Sequence, residues 1–160
     1  MTTFQPRIEQ INDFFIVGQK IQTSIENDHT FHLWNQFMPK TKTIPNRKGD
    51  YFISMQLYDP EFFQAFTPER QYEKWAAVEV YELAPAHQHF HQFKIPGGFY
   101  AVFTRDGSLE SRQVFYHMYT IWLQNSCYEL DNRPHFEILD KDYKVHENEK
   151  EEVFIPIRKK

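Results

Sequence analysis

The predicted order of structural elements constrains this chain most, because the same order occurs twice. In the first half, a strand in "FFIVGQKIQTS" precedes a helix in "TFHLWNQFMPKTK", and strands in "DYFISMQLYDPE" and "WAAVEVYEL" follow. In the second half, a strand in "GGFYAVFTRDGS" precedes a helix in "SLESRQVFYHMYTIWLQNS", and strands in "HFEILD" and "EEVFIPIRK" follow. The order strand, helix, strand, strand therefore repeats, at about 5–84 and 95–158.

This repeat predicts one α+β domain over residues 1–160, built from a duplicated β-α-β-β unit. Each helix would cover one face of its own sheet, and the two units would meet along their exposed faces or edges. Such an arrangement has a central cleft at a pseudo-two-fold axis, where ligands commonly bind. An aromatic content of 18%, with 16 Phe and 9 Tyr, suits a core and such a cleft.

Charge and cysteine usage exclude several classes of function. The net charge is −4 and the basic residues form only short runs, so we expect no direct binding of nucleic acid. The single cysteine, Cys127, excludes an intrachain disulfide. The sequence has neither an apolar stretch of membrane-spanning length nor a signal-peptide pattern, which predicts a cytoplasmic protein without a membrane partner.

The common catalytic and cofactor motifs are missing from the sequence. It has no P-loop, G-x-G-x-x-G, G-x-S-x-G or H-E-x-x-H pattern, and we expect no cofactor. In "HQHFH", His87, His89 and His91 would share one face of a strand and suit zinc, but a solvated sheet edge is the preferred interpretation, so we expect no metal site. Cys127 follows the end of a helix, where the helix dipole does not favour a thiolate nucleophile.

Four stretches of the sequence occur in a characteristic order: "LYDPEFFQAFTPERQYEKWAAVEV", "IPGGFYAVFTRDG", "WLQNSCYELDNRPHFEIL" and "EEVFIPI". Together they resemble the GyrI-like small-molecule-binding domain, the effector-binding domain of AraC-type and MerR-type multidrug regulators. The chain departs from the family pattern at Gln124 for Pro, Cys127 for Gly and Leu139 for Tyr. No DNA-binding helix-turn-helix precedes these stretches, so we do not expect the architecture of a transcription regulator.

The resemblance implies a central aromatic pocket with a buried acidic residue for lipophilic, often cationic, ligands. On this basis we expect a stand-alone small-molecule-binding protein of the multidrug-binding type. Some family members resemble hydrolases of electrophilic compounds, and whether this chain is an enzyme stays open. A third hypothesis is an inhibitor that binds a protein partner such as a topoisomerase, as the family name suggests.

Glu137 is the expected acidic residue of the pocket, and the candidate catalytic residue if the chain is an enzyme. In an alternating strand, one face carries His135, Glu137 and Leu139, and the other carries Phe136, Ile138 and Asp140. Phe136 and Ile138 would suit the helix-covered core, which directs Glu137 into the cleft. A bound cation would offset the cost of burying its carboxylate. The alternative is a glutamate that faces solvent on an open sheet.

The expected ligand-binding residues are Glu137, Tyr58, Trp75, Phe99 and Trp122. Tyr58 and Trp75 lie near strand ends in the stretches that carry the resemblance. Phe99 and Tyr100 point to opposite faces of their strand, so only one of them can line the cleft. Trp122 either borders the pocket or belongs to the apolar face of its helix.

Overall fold

The computed structural model describes residues 5–105, 117–140 and 151–160, without the side chain of Arg105. In these ranges the chain forms two helices and a nine-stranded antiparallel sheet, which confirms the predicted α+β class. The predicted start of the second helix and most of the charged segment between the last two strands lie outside the described residues. No helix of the described residues is long and apolar enough to cross a membrane.

The strands follow the predicted positions closely, with two additions that the sequence did not indicate, β1 and β7. The strands are β1 (Arg7–Ile11), β2 (Phe14–Thr23), β3 (Phe52–Leu57), β4 (Tyr72–Val80), β5 (His91–Ile95), β6 (Gly98–Arg105), β7 (Tyr128–Leu130), β8 (His135–Leu139) and β9 (Glu151–Lys159). The segment predicted as irregular or edge-like therefore contains β5, which lies at one end of the sheet.

Two helical segments accompany the sheet. Helix α1 (Thr30–Phe37) continues as a 3-10 turn over Met38–Thr43, as the proline at 39 predicts. Its apolar side buries Leu33 and Phe37, four residues apart. Helix α2 is described as a π-helical segment, His117–Trp122, that ends in an α-helical turn, Leu123–Asn125.

The strand order reproduces the repeat of the sequence. The sheet runs β1-β6-β9-β8-β3-β4-β2-β5, and β7 pairs with β9. The groups β2-β4-β3 and β6-β9-β8 have the same internal order, and they meet edge to edge where β3 pairs with β8. The outer strands are exchanged: β1 precedes β2 but pairs with β6, whereas β5 precedes β6 but pairs with β2. The exact limits of the two halves stay a prediction.

Each exchanged strand turns into the next through two residues, and the two turns contact each other. The amide N–H of Gly97 donates to Oδ1 of Asp13 at 2.7 Å, and Nζ of Lys94 lies 3.3 Å from Oδ2. Both interactions hold the pKa of Asp13 below its usual value, and the hydrogen bond from Gly97 contributes most. A Cβ on Gly97 would lie 2.4 Å from the carbonyl oxygen of Ile11, so only glycine allows this approach.

The sheet is strongly curved, and its two faces have different cores. The Phe14 ring on β2 lies 5.3 Å from the Phe136 ring on β8, although two strands separate them in the sheet. In a flat sheet these strands would be about 14 Å apart, so the sheet curls around this face. Among the described residues, none of those in the enclosed core belongs to a helix. The opposite face carries α1 on one side and α2 on the other, each over its own apolar cluster.

Candidate functional site

The strip of sheet between the two helices is formed by β3 and β8, and we call it the seam. Helix α1 packs on β2 and β4, and the cluster under α2 is built from β6 and β9. Glu137 lies at the seam, because it pairs with Ser54 on one side and with Val153 on the other. Val153 belongs to the cluster under α2, so Glu137 shares the helix-bearing face.

The predicted position of Phe136 and Ile138 against the helices is therefore wrong. Both residues pack in the enclosed core of the opposite face, Phe136 with Phe14 and Tyr100. Alternation along β8 is as predicted, but the curvature of the sheet lets the opposite face form a core without a helix. Glu137 consequently lies between the helices instead of opposite them.

The floor of the seam is polar although it is buried. Ser54 and Gln56 lie on β3, and Lys74 extends the row onto β4. Nε2 of Gln56 donates a hydrogen bond to Oε2 of Glu137 at 2.9 Å. Buried polar side chains cost stability unless they are satisfied, so we take this row as the candidate site for a ligand.

Six aromatic rings cover the end of the seam, and we call them the ring cluster. Its members are Tyr58, Phe62, Phe63, Tyr72, Tyr119 and His135. Phe63, from the turn after β3, stacks on Tyr119 of α2 with ring centroids 4.7 Å apart. The hydroxyl of Tyr119 lies 2.7 Å from Nδ1 of His135. The ring cluster therefore joins the two halves of the chain above the polar floor.

Electrostatics links the ring cluster to Glu137. Burial raises the pKa values of Tyr58, Tyr72 and Tyr119, and the negative charge of Glu137 contributes to each increase. The three hydroxyls therefore remain protonated and can act as donors. Burial lowers the pKa of His135 to about 3, with a smaller contribution from the positive charge of Arg133. The imidazole is therefore neutral.

Two cavities lie on different sides of the sheet. One, of about 650 Å³, is lined by Tyr58, Phe63 and His135 of the ring cluster and by the end of α2 and strand β7. The other, of about 450 Å³, opens beside the enclosed core and is lined by Phe14, Phe136 and carboxylates that include Glu79. Glu137 lines neither cavity, whereas three members of the ring cluster, Tyr58, Phe63 and His135, line the larger one.

The structure brings together two of the five predicted ligand-binding residues, Glu137 and Tyr58. Trp75 lies in the enclosed core, where its Nε1 donates to Glu73 at 2.7 Å. Phe99 is 46% exposed on β6, which β9 separates from β8.

Trp122 packs under α2 against Phe103 and Tyr128, with ring centroids 5.6 and 6.4 Å away. These contacts agree with the interpretation that Trp122 belongs to the apolar face of its helix. A role of Trp122, Trp75 or Phe99 in ligand binding stays a prediction.

Sequence reasoning missed seven residues of the site: Ser54, Gln56, Phe62, Phe63, Tyr72, Lys74 and Tyr119. From Ile53 onward the strand "FISMQL" alternates apolar and polar residues, which is the pattern of a strand with one face in solvent, whereas "YEKWA" has no such alternation. That pattern identifies which residues share a face. It does not reveal that the polar face is covered, because the covering rings come from distant segments.

The histidine motif does not form a metal site. His87 is fully buried, and its ring nitrogens are engaged with backbone: Nε2 lies 2.8 Å from the Pro45 carbonyl oxygen, and Nδ1 accepts from the Ala84 N–H at 3.2 Å. His89 and His91 are exposed. Among the described residues, no group of three or more His, Cys, Asp or Glu side chains is arranged to hold a metal ion.

Comparison with known proteins adds a family and a set of similar folds. The family model for the GyrI-like small molecule binding domain matches residues 4–158. The structure of SAV2435 bound to tetraphenylphosphonium is similar, with a TM-score of 0.72 and 13% identity over 96% of this chain and 93% of that one. No curated protein matches the sequence.

Two further solved structures share the fold. The EcmrR C-terminal domain has a TM-score of 0.69 and 14% identity, with 98% of each chain covered. A hydrolase encoded by lin2189 from Listeria innocua has a TM-score of 0.62 and 8% identity, over 98% of this chain and 93% of that one. At these identities the likeness establishes the fold alone.

Proposed function

The chain belongs to the GyrI-like small molecule binding domain family, and we propose that it captures lipophilic aromatic cations with Glu137 as their counter-charge. The observation that carries the proposal is the setting of this carboxylate. Glu137 is partly buried, receives a hydrogen bond from Gln56, and has no cationic nitrogen within 4.0 Å in the part of the chain that the structure describes. A ligand cation at this point offsets the cost of burying the carboxylate.

The surroundings of Glu137 support an aromatic ligand. The rings of Tyr58, Tyr72 and Tyr119 offer faces for cation–π contact. The adjoining cavity of about 650 Å³ lies within the size range of small-molecule sites, about 300–1,000 Å³. In this proposal a ligand enters through the cavity and reaches Glu137 by displacing the partly exposed ring of Phe63. The similar protein SAV2435 has been solved with an aromatic cation, tetraphenylphosphonium.

Calorimetric titration of tetraphenylphosphonium and neutral triphenylphosphine oxide tests the proposal. The wild-type protein should prefer the cation, and Glu137→Gln should weaken cation binding by at least about 10-fold, which is about 1.4 kcal/mol. Glu73→Gln is the matched control, because Glu73 is also partly buried but lies on the opposite face. Equal binding of the cation by wild type and Glu137→Gln would refute the role of Glu137.

A second candidate function is hydrolysis of electrophilic compounds at the same site. The specific observation is the pairing of a carboxylate, as general base, with protonated tyrosine hydroxyls, as general acids. In such a reaction Glu137 takes a proton from water while the water oxygen attacks, and a tyrosine protonates the leaving oxygen. The similar fold of the hydrolase encoded by lin2189 agrees with this chemistry but does not establish it.

Incubation with styrene oxide separates the two functions. A hydrolase converts it to the diol, and conversion should disappear in Glu137→Gln and fall in Tyr119→Phe. A protein that binds tetraphenylphosphonium through Glu137 but forms no diol is a binding protein towards this class of electrophile.

A further inference from the structure

Lys74 is a largely buried charged residue of the described structure. It lies on β4 with only 8% of its surface exposed, and it pairs in register with Gln56 of β3. It shares its face with Tyr72 and Ala76, which belong to the ring cluster and to the core under α1. Its side chain therefore lies on the same covered face as Glu137.

The ammonium group of Lys74 has no hydrogen-bond or ion-pair partner among the described residues. Three more exposed lysines are paired: Lys20 with Glu73, Lys48 with Glu79 and Lys94 with Asp13, at 3.3–3.6 Å. Proteins usually show the reverse, because a buried lysine without a partner costs far more than an exposed one. Lys74 therefore lacks the anionic partner that a largely buried lysine usually has.

The spacing of Lys74 and Glu137 defines what such a partner looks like. β3 lies between their strands, and Glu137 is two residues further along β8 than His135, which is in register with Gln56 and Lys74. The two Cα atoms are therefore about 12 Å apart. The amide of Gln56 occupies the strand between them and donates to Glu137. The covered floor therefore has an ammonium at one end and a carboxylate at the other.

We propose that the ligand of this site is an aromatic zwitterion, whose cationic group lies at Glu137 and whose anionic group lies at Lys74. This inference rests on the proposed function and narrows it from cations in general to dipolar molecules. A simple cation leaves the largely buried Lys74 without an anionic partner. The ammonium group of Lys74 also repels such a cation. A zwitterion with matching charges compensates both buried groups at once.

The test compares three probes of the same aromatic size: 4-(trimethylammonio)benzoate, phenyltrimethylammonium and benzoate. Their dissociation constants are measured by calorimetric titration on wild type, Lys74→Met and Lys20→Met. Wild type should bind the zwitterion at least about 10-fold more tightly than either singly charged probe. Lys74→Met should lose this preference and bind phenyltrimethylammonium at least as well as wild type does. Lys20→Met, on the opposite face, should behave as wild type.

The wild-type comparison alone can refute the inference, so the test does not depend on how well a variant folds. If wild type binds phenyltrimethylammonium as tightly as the zwitterion, and Glu137→Gln weakens both, the zwitterion inference is wrong and the proposed function stands. If Lys74→Met keeps the preference, Lys74 is not the anion partner and the inference is wrong. If none of the three probes binds, and tetraphenylphosphonium does not bind either, both proposals fail.

Discussion

At the scale of single residues, the site combines groups that are costly to bury. His135 is an example: it is enclosed by the ring cluster, touches the hydroxyl of Tyr119, and has a pKa lowered to about 3. Its imidazole must therefore stay neutral in the folded protein, whereas the unfolded chain takes up a proton near the usual pKa of 6.5. This difference makes the stability of the protein depend on pH.

Between about pH 6.5 and pH 3 the unfolded state binds more protons at this residue than the folded state does. Stability should therefore fall as the pH falls through this window, by up to about 1.4 kcal/mol per pH unit from this group. His135→Asn should make the pH dependence shallower, as measured by urea unfolding at several pH values. The exposed His89 serves as control, and His89→Asn should keep the wild-type slope; an unchanged slope in His135→Asn would contradict the assignment.

Also at the residue scale, Phe63 should control access to Glu137. It is 38% exposed, lines the larger cavity and stacks on Tyr119. Phe63→Ala should speed the association of tetraphenylphosphonium in stopped-flow fluorescence, because no ring must be displaced. Phe66→Ala removes an exposed ring that the cavity does not include, and it should leave the rate unchanged. A slower or unchanged association in Phe63→Ala would place the entrance elsewhere.

At the scale of elements, one guanidinium ties several strands together. Arg133, just before β8, donates to the carbonyl oxygens of Gly97, Phe99 and Ile157 at 3.3, 2.7 and 3.0 Å. Its Cζ also lies 4.5 Å from the centroid of the Tyr100 ring. These contacts join the β5–β6 turn, β6 and β9, so Arg133 helps to orient the strand that carries His135 and Glu137.

Arg133→Lys should destabilise the protein by about 2 kcal/mol, because an ammonium cannot reproduce the planar set of donors or the stacking. Arg158→Lys is the matched control, since the Arg158 side chain is 57% exposed, against 12% for Arg133, and its partners are carboxylates of an exposed ion pair. The measurement is the free energy of unfolding in urea for both variants. Equal losses of stability in the two variants would show that the three carbonyl contacts of Arg133 contribute little to the free energy of unfolding.

At the scale of the whole molecule, the site exists only because two halves share one sheet. Gln56, Tyr58 and Lys74 come from the first half, and Tyr119 and Glu137 come from the second. The halves are joined by the β3–β8 pairing and by the exchange of β1 and β5. Neither half can form the seam alone.

We therefore expect one cooperative unfolding transition. A variant that keeps only Trp34 reports on α1 of the first half, and one that keeps only Trp122 reports on α2 of the second. Their fluorescence transitions in urea should have the same midpoint, after correction for the stability of each variant measured by circular dichroism. Two separated midpoints would show that the halves unfold independently, against the prediction of a single domain.

The sequence by itself determined most of the elements and their repeated order. Periodicity located β2, β3, β8 and β9, and Pro39 marked the end of α1. It did not indicate β1 or β7, which are short and are only partly buried or exposed. Such strands form because a neighbouring strand offers unpaired backbone groups, and that partner is distant in the sequence.

For the site, the sequence determined which residues of a strand share a face, because side chains alternate with a period of two. His135 and Glu137 are on one face of β8 for this reason. Only the tertiary structure decided that this face lies between the helices, that Trp75 belongs to the other face, and that Lys74 is largely buried on the face that carries Glu137. Those outcomes depend on the curl of the sheet and on the β3–β8 pairing, which are long-range contacts that no local pattern encodes.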